Sequence, residues 1–159
     1  MKFTILGAGT WGITLSQILE DNGHDVSVWH YKKNYIDIIN KEKVSKKLNI
    51  AISKKINFIY KTEDIEDSSI IIISLPSQTI RSTLSSLNLK NTYYINTSKG
   101  IELDTGKLIS TIIKECTSGT DYTIACLSGP SHAEELIKRI PTVLTVGSCN
   151  SEFSETFNS

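Results

Sequence analysis

The sequence is short of cysteine, of proline, of excess charge and of long apolar runs, and each shortage excludes something. Its three cysteines, Cys116, Cys126 and Cys149, form no CxxC pair. That excludes a zinc-ligand spacing and a disulfide framework, and the expectation is reduced thiols and no metal site. Seventeen Lys and Arg balance seventeen Asp and Glu, so no global field favours nucleic acid or an anionic membrane. The lysines at 41, 43, 46, 47, 54 and 55 lack interleaved aromatic stacking partners and read as a solvated face. No apolar run nears the ~20 residues of a membrane span, and the N-terminal run meets Gly7 too soon for a signal peptide. A cytoplasmic protein without membrane insertion is expected. With three prolines and no Gly-rich linker, the 159 residues read as one domain, long enough to bury a real core.

What is present is an alternation. Lys2 to Leu6 is a short apolar run that stops at glycine, as a buried strand does. Trp11, Leu15, Ile18 and Leu19 then follow helical spacing, and Gly23 is placed to end that helix. Strands are expected over Asp25–Trp29, Asn57–Tyr60, Ser69–Leu75, Thr92–Thr97, Tyr122–Leu127 and Thr142–Gly147. Helical faces are marked by Tyr35, Ile36, Ile38 and Ile39, by Ile80, Leu84 and Leu87, and by Leu108, Ile109, Ile112 and Ile113, with a short helix over Ser131–Lys138. Strand and helix in alternation imply an α/β fold: a Rossmann-type, doubly wound, mainly parallel sheet with helices on both faces. The expected division is a dinucleotide-binding domain over residues 1–150 and a polar tail over 151–159.

Gly7-Ala8-Gly9-Thr10-Trp11-Gly12 is a GxGxxG sequence lying between an expected strand and an expected helix, the context the pattern requires. Gly7 permits the tight turn, Gly9 lets the backbone approach a pyrophosphate, and Gly12 lets the helix pack close to the sheet. The helix N-terminus then offers free N–H groups to phosphate. A site selective for NAD usually ends its second strand with Asp or Glu on the ribose 2′-hydroxyl. Here Trp29-His30-Tyr31-Lys32-Lys33 carries no acid, so the expected cofactor is NADP or NAD, with NADPH favoured.

Three further strand ends carry polar segments: Ser74-Leu75-Pro76-Ser77-Gln78, Thr97-Ser98-Lys99-Gly100-Ile101-Glu102 and Ser128-Gly129-Pro130-Ser131-His132-Ala133-Glu134-Glu135. In a doubly wound sheet they face one crevice. Lys99, directly after a strand, can meet a phosphate or a developing oxyanion. Ser131 is expected to cap the short helix, while Glu134 and Glu135 suit its first turn without a catalytic role.

Together with Arg81, these segments in this order resemble the N-terminal half of bacterial NAD(P)-dependent sn-glycerol-3-phosphate dehydrogenase, over residue 2 to about 150. The resemblance implies hydride transfer between NAD(P)H and dihydroxyacetone phosphate, giving sn-glycerol 3-phosphate for phospholipid synthesis. It implies that Gly7, Gly9, Thr10, Trp11, Gly12, His30, Tyr31, Pro76, Lys99 and Ala133 bind cofactor and that Lys99, Gly129 and Ser131 bind substrate. His132 departs from the family's usual aromatic residue, and residues 48–58 lack its usual proline-containing loop. The family's second, helical domain carries the general acid/base lysine, so no catalytic residue is expected here and the chain reads as truncated. Without a positioned proton donor a loss of ~10²–10⁴-fold is typical, and the chain alone is expected to bind nucleotide but turn over poorly or not at all. A homo-oligomer is compatible with this reading. A non-enzymatic nucleotide-binding module and a fragment of a hydroxyacid or ketopantoate-type reductase stay open, because a fold does not fix a function.

Overall fold

The structure is a computed structural model that describes residues 1–66, 70–87, 89–90, 93–117 and 122–150. The expected strand ends at Ser69 and Thr92 and the expected tail over 151–159 lie outside the described residues.

The chain opens with β1 (Lys2–Leu6), α1 (Thr10–Asp21), β2 (Asp25–Trp29) and α2 (Lys33–Glu42). A small hairpin of β3 (Val44–Ser45) and β4 (Ile50–Ala51) precedes β5 (Asn57–Ile59). Then follow β6 (Ile70–Ile73), α3 (Ile80–Leu87), β7 (Tyr93–Asn96), α4 (Ile109–Cys116), β8 (Thr123–Ser128), α5 (Ala133–Leu136) and β9 (Thr145–Ser148). One sheet holds seven strands in the order β5-β2-β1-β6-β7-β8-β9, parallel throughout except for the antiparallel β8–β9 edge. This is the doubly wound order. The chain winds outward from β1 to β5, then returns beside β1 with β6, leaving a crevice beyond the carboxyl ends of β1 and β6.

The physical basis is clearest in β6. Its four isoleucines are all buried; Ile70 and Ile72 join the core beneath α1 and α2, while Ile71 and Ile73 join the core beneath α3 and α4. A strand covered on both faces reads as a continuous apolar run because neither face can be polar. Each such side chain contributes roughly 1.5–3 kcal/mol of burial. Helix α1 ends as the glycine placement predicts. Gly23 has φ +79°, its N–H donates to the Glu20 carbonyl at 2.9 Å, and the His24 N–H donates to the Leu19 carbonyl at 3.1 Å, a paired closure of the last turn.

Several expectations need correction. In α1 Leu15 is buried and Trp11 and Leu19 pack partly buried against the same core, as expected, but Ile18 is only partly covered and the buried stretch is the continuous run Gly12 to Ser16. Helix α5 packs on α1 and extends the buried stretch; the Thr14 hydroxyl donates to the Ala133 carbonyl there. Leu108 is not on the buried face of α4 but caps its N-terminus at 62% exposure. The helix expected over 131–138 is one turn, with His132 rather than Ser131 at the N-cap and no side-chain cap bond. The Ser131 N–H instead donates to the Gly129 carbonyl at 2.9 Å, so the tight turn around Pro130 occupies the residue expected to cap. The last strand is Thr145–Ser148 and runs antiparallel, because a four-residue helix does not supply a full crossover. Lys43 is not simply solvated. It lies over the Phe58 ring and donates to the Ile56 carbonyl at 2.7 Å.

Two glycines at the crevice have different duties. A Cβ on Gly12 would collide with the Gly7 carbonyl, whereas one on Gly9 meets nothing within 4 Å. Gly12→Ala is therefore expected to lower stability by about 1–3 kcal/mol, and Gly9→Ala by less than about 1 kcal/mol. Thermal unfolding of both variants checks this; equal losses would refute the separation.

Candidate functional site

The crevice is built from strand ends. The Gly7 N–H donates to the Trp29 carbonyl, the Ser74 N–H to the Leu6 carbonyl and the Thr97 N–H to the Ile73 carbonyl, at 2.9–3.0 Å. The segments after β1, β2, β6 and β7 thereby start level with one another. Gly7 has φ +114°, and a Cβ there would strike the Ser74 carbonyl. The β1–β6 seam thus closes only around glycine. From Gly9 the chain enters α1, whose first N–H groups have no partner within the helix; Gly9, Thr10 and Trp11 there line the crevice.

Two clefts meet along Gly9, Ser74, Leu75 and Pro76, which line both. The cleft toward β2, about 690 Å³, is lined further by Gly7, Ala8, Trp29, His30 and Tyr31 and by α3. The cleft toward β7 and β8, about 740 Å³, takes Thr10, Trp11, Lys99, Gly129, Ser131 and Ala133. The structure therefore gathers the residues singled out in the sequence, apart from Gly12, which packs beneath the loop. Tyr31 sits on the rim at 66% exposure, whereas Ser131 and Ala133 are buried.

At the end of β2 the half-buried His30 ring lies against Tyr31 and Tyr35, with centroids 4.7 and 4.8 Å away. Its Nδ1 accepts the Lys32 N–H at 3.1 Å. Burial pushes its pKa below the ordinary histidine value, so the ring is neutral at pH 7 and its Nε2 carries the proton. Lys33 is paired with Asp37 at 2.8 Å, while the Lys32 ammonium lies over the Tyr31 ring, 5.3 Å from its centroid. Tyr35, which the sequence offered only as a helix-face residue, donates its hydroxyl to the Ala8 carbonyl at 3.1 Å. It thus ties α2 to the glycine loop.

The segment after β7 is held from both ends. Upstream, Asn96 bonds the Ser98 N–H and carbonyl, and the Thr97 hydroxyl donates to the Ile73 carbonyl at 2.8 Å. Downstream, Gln78 donates to the Ile101 carbonyl at 2.8 Å and accepts the Leu103 N–H at 3.0 Å. Arg81 grips Glu102 bidentately at 2.7 and 2.9 Å and reaches Glu115 at 2.8 Å. Lys107 completes this ring on Glu115. The Arg81 guanidinium, then the Thr105 hydroxyl, hold the Glu102 carboxyl down to about 2. Gln78, Arg81 and Glu102 all stand in segments notable by sequence, but their pairing across more than twenty residues has no local signal. Arg81 is thus committed to carboxylates, whereas Lys99 is exposed at the cleft with no ion-pair partner among the described residues.

Residues 2–154 match the family described as NAD-dependent glycerol-3-phosphate dehydrogenase N-terminus. The chain belongs to this family. It is 39% identical over 157 residues to glycerol-3-phosphate dehydrogenase [NAD(P)+] of Thermotoga sp. (strain RQ2), covering 96% of this chain and 46% of that protein. The corresponding Fusobacterium nucleatum protein is 34% identical, with 97% and 48% covered. The chain thus spans about half the length of the relatives it matches. Among solved structures, glycerol-3-phosphate dehydrogenase from Coxiella burnetii superposes with a TM-score of 0.87 at 24% identity, over 98% of this chain and 49% of that one, a likeness of fold. Among the described residues no helix is long and apolar enough to cross a membrane.

The Glu102 pairing sets a pH limb. A carboxyl whose folded pKa is depressed stabilises the fold above its unfolded value, and that stability is lost as pH falls from about 4.5 toward 2. Glu102→Gln is expected to be less stable than the parent at pH 7, the gap closing as pH approaches 2. Denaturant melts across this range check it, and a gap that stays constant would sink the assignment.

Proposed function

We propose that this chain is the cofactor-binding half of a glycerol-3-phosphate dehydrogenase, which interconverts dihydroxyacetone phosphate and sn-glycerol 3-phosphate with NADPH or NADH. The observation that carries this reading is the joined pair of clefts crossing the β1–β6 seam at Gly9, a path long enough for a dinucleotide with its pyrophosphate over the glycine loop. The open space at Gly9 and the unpartnered N–H groups opening α1 fit that group. The adenosine end lies toward Trp29, His30 and Tyr31, and the nicotinamide end toward Thr10, Trp11, Pro76, Lys99 and Ala133.

When bound, the nicotinamide supplies the hydride. The chain's own residues do the rest of the work on this side. Lys99 faces the substrate phosphate and the carbonyl oxygen, where its ammonium stabilises developing negative charge. Gly129 and Ser131 form the floor, and a Cβ on Gly129 would meet the Val143 carbonyl 2.5 Å away, so position 129 tolerates no side chain. The proton for the alkoxide comes from the half of the relatives' length that this chain does not match. The purified 159-residue chain is expected to reduce dihydroxyacetone phosphate at least ~10²-fold more slowly than a full-length relative.

NADPH is the favoured form. Residues 29–33, at the end of β2, hold no carboxylate to repel a 2′-phosphate, and His30 and Lys32 there offer a neutral donor and an ammonium that support this reading. Titrating the chain with each nucleotide while following Trp11 and Trp29 fluorescence tests both points. Saturable quenching, tighter with NADPH, is expected. His30→Asp is expected to shift the ratio of the two dissociation constants toward NADH by roughly tenfold, since it places a carboxylate at the ribose. A folded chain that quenches with neither nucleotide would refute the proposal; an unchanged ratio in the variant would refute the role of His30.

A further inference from the structure

We infer that Gln78 and the Arg81–Glu102 pair are positioning residues for Lys99, acting through the backbone of the loop that carries it. The inference rests on the cofactor reading for the ligand involved, but its geometric half stands alone. Lys99 and Gly100 form a bridge between two anchored stretches. The upstream stretch is tied to the end of β6 by Thr97 and Ser98. The downstream stretch, Ile101 to Leu103, is tied to the segment between β6 and α3 by one side chain, because Gln78 bonds the Ile101 carbonyl with its nitrogen and the Leu103 N–H with its oxygen. An amide is the side chain that can donate and accept at once. Between those two bonds lies Glu102, drawn the same way by the guanidinium fork of Arg81.

Three residues of one loop are therefore fixed to the stretch that runs from this segment into the first turn of α3, and the same stretch carries Pro76, a lining residue of both clefts. Gly100 has φ +94°, a left-handed value favoured by glycine. Its position closes on Ser77, whose Oγ is 3.6 Å from where a Cβ would stand. The turn is completed by the Glu102 N–H on the Lys107 carbonyl and the Gly106 N–H on the Glu102 carbonyl. None of these contacts reaches the Lys99 ammonium. Its freedom to meet an anion and its location at the cleft have separate causes: the first is the absence of a carboxylate partner among the described residues, the second is the clamp. A guanidinium is suited to this role because its planar fork holds both direction and distance, which an ammonium does not.

The test uses the full 159-residue chain with Gln78→Ala, Arg81→Ala, Arg81→Lys and Lys99→Ala. Gln78 is exposed, so Gln78→Ala keeps the test valid if Arg81→Ala does not fold. Amide hydrogen exchange over residues 99–103 is read first, without ligand. An increase of about tenfold is expected for Gln78→Ala, confined to that loop, with Arg81→Lys between the parent and Arg81→Ala. The dissociation constant for NADPH is read second. Gln78→Ala is expected to raise it about three- to tenfold in the parent and not at all in the Lys99→Ala background, because its effect passes through Lys99. Unchanged exchange, or an equal loss of affinity with and without Lys99, would overturn the inference. A folded parent that does not bind NADPH refutes the cofactor reading instead, and exchange alone then decides the clamp.

Discussion

The approach of Gly7 to the Ser74 carbonyl is the constraint on which the rest depends. It sits where β1 and β6 part, and it admits no Cβ. Because the two strand ends meet so closely, the helix that follows β1 starts directly above the seam. Gly12 repeats the demand one turn later, against the Gly7 carbonyl. The result is a helix N-terminus placed beside two clefts rather than buried against one. Gly9, between the two crowded glycines, has open space where a side chain would be. One tripartite glycine pattern thus serves two packing requirements and leaves one gap, and the gap is what a phosphate needs.

Charge around this seam is arranged by withdrawal as much as by presentation. Cations near the site are mostly committed elsewhere: Arg81 to Glu102 and Glu115, Lys107 to Glu115, Lys33 to Asp37. Lys99, which lines the cleft toward β7 and β8, and Lys32, whose ammonium lies over the Tyr31 ring, are left with no carboxylate partner among the described residues. The first N–H groups of α1 stand beside Gly9, where the two clefts meet. The pattern of pairing follows from the overall neutrality of the sequence. With no net field, recognition of an anion has to come from which few cations are left unpaired.

What the sequence made legible divides along the range of the interactions. The glycine loop, the buried β6 run and the Gly23 helix end are decided by neighbours a few residues away, and each was readable as a pattern. The burial around Thr14 in α1 was not, because α5 arrives from more than a hundred residues downstream to pack there. The one-turn length of α5 was missed for a related reason: the turn at Gly129-Pro130-Ser131 competes locally with a helix cap, and periodicity does not register that competition. Lys43 looked like one of six solvated lysines until α2 and β5 brought Phe58 and the Ile56 carbonyl beneath it. At the candidate site the lining residues were legible and their supports were not. Tyr35 on the Ala8 carbonyl, and Gln78 with Arg81 on the Lys99 loop, are pairings between segments that the sheet order alone brings together.

The two clefts share their dividing ridge, Ser74 to Pro76, and that ridge belongs to the same segment as the Gln78 and Arg81 clamp. A displacement of the segment would therefore act on both clefts: directly at Pro76, and through the loop at Lys99. The β2 side has its own separate tether, Tyr35 on the Ala8 carbonyl, and does not depend on the clamp. Damage to the clamp should thus be felt in both clefts, at the shared ridge and at Lys99, whereas damage to Tyr35 should be felt on the β2 side. The two ends of one extended site are supported by different elements, and the glycine loop is where those supports meet.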